Sequence, residues 1–254
     1  RAFGFPDSTI MHEFIHNYFY GILASNEFEH PWMDEGMTSY ATILAMERAG
    51  LKAIELGPLS MDPVASEQVG FRMYRGPNVP ALAAWRFHGG GYGSMTYNRP
   101  AVFFKTLENL VGRPAINRLF TAYMKRCGYT HPQPGDFYHV VEQELGSEAR
   151  SFLQKGMETR QQVDFAVLRL QSRPLSDIQP PLHPEASRKV KPPTRSGYAN
   201  TVIIGNLGDF NLPVTLRCTL QNGDSRDFLW DGRQGGTHVV HFESASRVVT
   251  AQVD

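Results

Sequence analysis

The chain carries no surplus of either charge: 25 Lys and Arg face 25 Asp and Glu, and the formal net charge is zero. A general nucleic-acid binder needs a basic stripe to displace counterions, and no such stripe is present, so no nucleic-acid partner is expected. Long apolar runs are missing as well. Stretches such as Ala81 to Trp85 fall far short of the roughly 18 consecutive apolar residues that a spanning helix requires, which excludes a membrane span in this sequence. Cysteine is scarce: Cys127 and Cys218 cannot make a disulfide framework and lack the CxxC spacing of a zinc knuckle, so both read as buried thiols. The first residues show neither the charged start nor the apolar core of a signal peptide, and with Arg1 in place of Met the 254 residues are expected to be cut from something longer. At 41% hydrophobic residues the chain can bury one or two cores, which excludes disorder as its dominant state.

From Phe5 to about Leu153 apolar residues recur at helical spacing, interrupted at Gly50, Gly57-Pro58, Gly76-Pro77, Gly89 to Gly91, Gly112, Gly128 and Gly146. The pattern predicts seven or eight helices. Asp136 reads as the N-cap of one of them and Gly146 as its stop. After Gln161 the period changes to two, through Val163, Phe165, Val167, Leu168 and Leu170. A stretch with six prolines follows, Arg173 to Gly197, and reads as a loop. Beyond it lie short β-like runs: Tyr198–Ile204, Leu212–Leu220, Asp227–Trp230, Thr237–Phe242 and Arg247–Val253. Six short strands on this spacing predict a small β-sandwich. The expected architecture is therefore a mainly helical domain at 1–160 and a β-sandwich domain at 161–254, with a Pro-rich loop at 173–197. The β block carries no converging ionisable cluster and is expected to be structural, with Phe165, Leu168, Val202, Ile204, Val214, Leu216, Phe228 and Trp230 packed against the helices.

His12-Glu13-Phe14-Ile15-His16 forms an HExxH motif inside the first helical run, where residues four apart share a face. Both imidazoles can meet one ion with Glu13 beside it. About 0.02 such matches are expected by chance from 9 His and 14 Glu in 254 residues. Zinc takes nitrogen, sulfur and carboxylate donors, and a catalytic site uses three and leaves a position for water. Glu35, in Trp32-Met33-Asp34-Glu35-Gly36, offers the third donor from the first turn of a second helix ending near Gly50. Eighteen residues separate it from His16, room for a helix end, a loop and a new start. Two His and two Glu converging in one apolar region would be costly to bury without a cation.

HExxH, eighteen residues, then Trp-x-x-Glu-Gly-x-x-x-Tyr resembles the gluzincin metallopeptidases related to aminopeptidase N, and the similarity extends through both blocks. The resemblance implies a thermolysin-like zincin fold, one zinc per chain held by His12, His16 and Glu35, and Glu13 as general base. Tyr97-Asn98-Arg99-Pro100 is similar to the family's Tyr-x-Lys-Gly or Tyr-x-Lys-Pro segment, which makes Tyr97 the expected stabiliser of the oxyanion. Trp230-Asp231-Gly232 and Val253-Asp254 are similar to the end of the small β-sandwich that follows the catalytic domain in many bacterial members. An extracytoplasmic or membrane-associated bacterial parent protein fits that pairing. Two departures stand out. The family's Gly-x-Met-Glu-Asn strand, whose Glu grips the substrate α-amine, is not in this sequence, so the segment is expected to bind zinc yet hydrolyse aminoacyl substrates poorly. Many members also place an acid seven residues after the zinc-binding Glu, where this chain has Thr42, a neutral hydroxyl that would support a histidine ligand less strongly.

The implied activity is zinc-dependent removal of N-terminal amino acids from peptides, with a peptide as partner. Alternatives are a zincin-fold protein-binding scaffold, which the intact ligands disfavour, or the same chemistry as an endopeptidase or epoxide hydrolase. The run Gly89 to Ser94 reads as a flexible loop beside Tyr97, since no Lys-Ser/Thr follows to bind phosphate. His88 and His131 lie outside ligand spacing and read as surface or loop residues; Arg72, Arg75, Arg86 and Arg99 read as solvated helix faces, the alternative being positive charge near the cleft that holds a peptide carboxylate.

Overall fold

A computed structural model describes residues 5–56, 58–178, 196–232 and 236–253. The chain divides into two compact units, Arg1–Arg160 and Gln161–Asp254.

Among its described residues the first unit holds seven α-helices: α1 (Phe5–Phe19), α2 (Met37–Ala49), α3 (Pro63–Met73), α4 (Arg99–Val111), α5 (Arg113–Cys127), α6 (Pro134–Leu145) and α7 (Ser147–Glu158). Local chemistry sets their ends. Gly50 closes α2 at φ 66°, a conformation that costs glycine little. Asp62 caps α3 by accepting from the Ala65 amide at 2.7 Å, with Pro63 filling a position that has no amide to satisfy. Asp136 is not the N-cap of α6, as the sequence suggested. The helix starts two residues earlier, and Asp136 reaches back to accept from the Gln133 amide at 2.8 Å in a capping box. The helical block also contains an antiparallel pair that the sequence reading did not foresee, β1 (Ile54–Leu56) and β2 (Leu59–Met61), with Ile54 opposite Met61 and Glu55 opposite Ser60.

Two five-residue π-helical turns run straight into the helices that follow them: Trp32–Gly36 into α2 and Ser94–Asn98 into α4. The turns approach each other closely, and glycine permits it. A Cβ on Gly36 would come within 2.4 Å of Pro100 Cβ and 3.0 Å of the Thr96 carbonyl oxygen, so a side chain there would push the two turns apart. Beneath them lies an aromatic core in which Trp32, Tyr40, Phe103, Phe104, Tyr123 and Phe137 are fully buried. The Tyr40 hydroxyl donates to Glu108 at 2.5 Å, and Arg113 pairs with the same carboxylate at 2.8 Å, which ties α2, α4 and α5 together.

Among its described residues the second unit holds β3 (Phe165–Pro174), β4 (Tyr198–Asn206), β5 (Val214–Leu220), β6 (Ser225–Trp230), β7 (Thr237–Ser244) and β8 (Val248–Val253). They form two three-stranded antiparallel sheets, ordered β3-β4-β7 and β6-β5-β8. Val202, Ile204, Val214, Leu216, Trp230 and Val240 from both sheets bury into one core, with Phe165 and Phe228 packed on it. Leu168 departs from the expectation: it is exposed, because a bulge between Val167 and Arg169 leaves it out of the alternation. Of the Pro-rich stretch, 179–195 lies outside the described residues, and Arg173 and Pro174 belong to the end of β3 rather than to a loop.

Candidate metal centre

One face of α1 brings His12 and His16 together, their rings edge to face at 4.7 Å between centroids. The π-helical turn Trp32–Gly36 lays Glu35 against them. Glu35 Oε2 accepts from His12 Nε2 at 3.0 Å and lies 3.3 Å from His16 Nε2. One donor atom from each of His12, His16 and Glu35 lies within 4.8 Å of the others. Two donors held at about 2.0–2.2 Å around a single tetrahedral zinc sit roughly 3.3 Å apart, so the side chains converge at the spacing such an ion requires. The donor set fits zinc: two imidazoles and one carboxylate.

Asp34, one residue before Glu35, was not expected to support a histidine. It is buried, and its Oδ1 accepts from His16 Nδ1 at 2.6 Å, which leaves Nε2 facing Glu35. Thr38 Oγ1 stands 3.4 Å from the same Nδ1. Thr42 turns away, donating to the Thr38 carbonyl at 2.8 Å. The carboxylate support that the family resemblance placed seven residues after Glu35 is therefore supplied from the residue before it.

Tyr97 also reaches the site. It stacks on His12 at 5.6 Å between centroids and donates its hydroxyl to Glu35 Oε1 at 2.5 Å. Burial, and then this hydrogen bond, push its hydroxyl pKa upward, so it stays a proton donor across the accessible pH range. Glu13 lies next to His12 on α1, is exposed, and makes no hydrogen bond or ion pair among the described residues. Arg99 is 2% exposed, which corrects its reading as a solvated residue. His131 adopts a left-handed backbone at φ 56° and donates from Nδ1 to the Ala24 carbonyl at 2.9 Å, a loop role in keeping with the sequence.

The metal-free site is strongly polarised. The Asp34 hydrogen bond, then that of Glu35, outweigh burial and raise the His16 imidazole from 6.5 to about 10. Burial would raise Glu35, but hydrogen bonds from His12, His16 and Tyr97 hold it down at about 2. The raised His16 contributes stability that is complete below pH 6.5 and lost as pH climbs through about 10. The depressed Glu35 contributes stability present above pH 4.5 and lost as pH falls through about 2. The melting temperature of the metal-free chain should therefore decline between pH 6.5 and 10, and Asp34→Ala should flatten that decline. An equally steep decline in the variant would remove the Asp34–His16 contact as its cause.

The helical unit brings two imidazoles and a carboxylate from adjoining elements within reach of one another, the kind of donor set that catalytic zinc sites use. The family model for the peptidase family M1 domain matches residues 6–156, more than half the chain, and the chain belongs to that family. Among curated proteins it is similar to aminopeptidase M1-B of Oryza sativa subsp. japonica, 21% identical over 155 residues, which cover 57% of this chain and 17% of that protein. Aminopeptidase M1-D of the same plant is 18% identical over 154 residues with the same coverage. The chain thus spans about a sixth of the length of the curated relatives it matches. Among solved structures, an M1 zinc metallopeptidase from Deinococcus radiodurans aligns with a TM-score of 0.50 at 22% identity, covering 61% of this chain and 33% of that one. A variant of that enzyme bound to a Tyr-Ser-Ala substrate aligns equally well. No helix among the described residues is long and apolar enough to cross a membrane.

Proposed function

We propose that the chain carries the catalytic site of a zinc-dependent peptidase, and that the most fitting activity is removal of N-terminal amino acids from peptides. The observation that carries this reading is the convergence of His12, His16 and Glu35 on one point, with Asp34 behind His16 and the Tyr97 hydroxyl beside Glu35. The tripeptide-bound relative supports a peptide as substrate. The unit Arg1–Arg160 is read as a thermolysin-like zincin catalytic domain, and Gln161–Asp254 as a β-sandwich that accompanies it.

His12 Nε2, His16 Nε2 and Glu35 hold one zinc. Bound there, the ion supplies Lewis acidity, lowering the pKa of water towards ~7 and polarising a carbonyl. Glu13, exposed and beside His12, accepts the proton of the attacking water and passes it to the leaving amine. Tyr97 donates its hydroxyl to the oxyanion that develops on the scissile carbonyl, a contribution of roughly 3 kcal/mol for a well-placed donor. Asp34 keeps the His16 proton on Nδ1 so that Nε2 presents its lone pair.

Elemental analysis after zinc reconstitution tests the ligand set. One zinc per chain is expected, and Glu35→Ala should bind at least about a hundredfold more weakly because a third of the donor set is gone. Less than about 0.2 zinc per chain in the unaltered protein, or unchanged affinity in Glu35→Ala, would overturn the reading.

A further inference from the structure

Tyr97 sits on a π-helical turn, Ser94–Asn98. A π turn is a less favourable winding than α, and such turns persist where the surroundings hold them. The two residues after Tyr97 are both anchored by hydrogen bonds to other elements. Asn98 Nδ2 donates to Glu67 Oε2 of α3 at 2.6 Å, and α3 comes close enough to make this contact because residue 70 is glycine: a Cβ there would fall 2.6 Å from the Asn98 carboxamide oxygen. Ser94, at the start of the turn, donates its hydroxyl to the Gly70 carbonyl at 2.9 Å. Arg99 is held by the end of α7. Its Nε donates to the Gly156 carbonyl and its terminal nitrogen to the Thr159 carbonyl, both at 2.8 Å, satisfying acceptors that a helix C-terminus leaves unpaired and placing a cation at the negative end of α7. The guanidinium also lies over Phe71 of α3 at 5.5 Å and Phe103 of α4 at 5.0 Å.

We infer that Asn98 and Arg99 are positioning residues for Tyr97: held between α3 and the end of α7, they fix the π turn and so set where the Tyr97 hydroxyl stands beside Glu35. Neither touches His12, His16 or Glu35 in the contacts described above; both act through Tyr97. The inference rests on the reading of Tyr97 as the oxyanion donor. A hydroxyl displaced by about an ångström loses most of its preorganised advantage, so an effect on turnover rather than on substrate affinity is expected.

The test is a double-mutant cycle of Asn98→Ala with Tyr97→Phe, read as kcat and KM on one aminoacyl amide with zinc content checked throughout. With Tyr97 in place, Asn98→Ala should lower kcat about tenfold, with KM and zinc content unchanged, and when added to Tyr97→Phe it should cost less than about twofold. Arg99→Lys, which can still reach one of the two carbonyls, should retain more turnover than Arg99→Ala. A readout independent of activity accompanies these: in the metal-free chain, amide hydrogen exchange across Ser94–Asn98 should accelerate in Asn98→Ala while that of α1 stays unchanged. Wild-type turnover in Asn98→Ala, or the same loss in both backgrounds, overturns the positioning role while leaving the Tyr97 reading intact. Full turnover in Tyr97→Phe alone overturns both.

Discussion

Glu13→Gln should bind one zinc per chain as tightly as the unaltered protein and lose about a thousandfold in kcat, within the 10²–10⁴ that a positioned general base contributes. The two halves of this expectation come from different observations. Retention of the metal follows because the donor atoms that converge belong to His12, His16 and Glu35, while Glu13 is exposed and bonded to none of them among the described residues. Loss of turnover follows because glutamine matches glutamate in size but cannot take a proton from water or deliver one to an amine. Elemental analysis and steady-state kinetics on the same preparation separate the two. If zinc affinity fell in step with kcat, Glu13 would have to be moved into the ligand set. If kcat held, the base would lie elsewhere, and Glu27 would be the first candidate, since burial, then the nearby Asp34 and Glu35 charges, raise its carboxyl above the usual carboxylate value.

What the sequence disclosed about this site, and what it hid, divides along a physical line. The His12–His16 pair was legible because an i, i+4 spacing on a helix fixes where two side chains point, whatever the rest of the fold does. Glu35 was legible through its context but not through its geometry: it was expected in an α-helical first turn, and it lies in a π turn, a winding with no pattern of its own in residue type. Asp34, in the same turn, faces His16, whereas the expected carboxylate position, at α-helical spacing from Glu35, holds Thr42. Its visible signal was the acid pair Asp34-Glu35 itself, in a buried segment where each carboxylate needs a partner. Arg99 was misplaced for a related reason. A lone arginine near a helix start is most often solvated, and its burial is decided by where α7 ends, about sixty residues later in the chain. In the second unit alternation located all six strands, yet the bulge at Leu168 was invisible because one extra residue leaves the apolar count unchanged while reversing which face each residue takes. Val202, Ile204, Val214, Leu216 and Trp230 meet in the core shared by that unit's own two sheets, with Phe165 and Phe228 packed on it.

Asp34→Ala is expected to weaken zinc binding by about 10- to 100-fold at pH 9, the range typical of losing the partner that orients a histidine ligand. Three consequences of the 2.6 Å contact combine. The carboxylate holds the Nδ1 proton, so His16 presents its Nε2 lone pair to the ion; it fixes the ring plane; and it makes the imidazole a stronger base and a stronger ligand. Alanine leaves Nδ1 with the Thr38 hydroxyl at 3.4 Å, too long to take over. The same contact works against the metal at lower pH. Because Asp34 first and Glu35 second raise the metal-free His16 to about 10, a proton competes for Nε2, and each unit of pH below that value should cost the unaltered protein close to a decade in apparent affinity. Without Asp34 that competition weakens, so the affinity gap between variant and unaltered protein should narrow from pH 9 towards pH 7. Chelator competition across that range measures both quantities. A gap that stayed constant with pH would show that Asp34 orients His16 without governing its proton, and no gap at any pH would remove Asp34 from the site altogether.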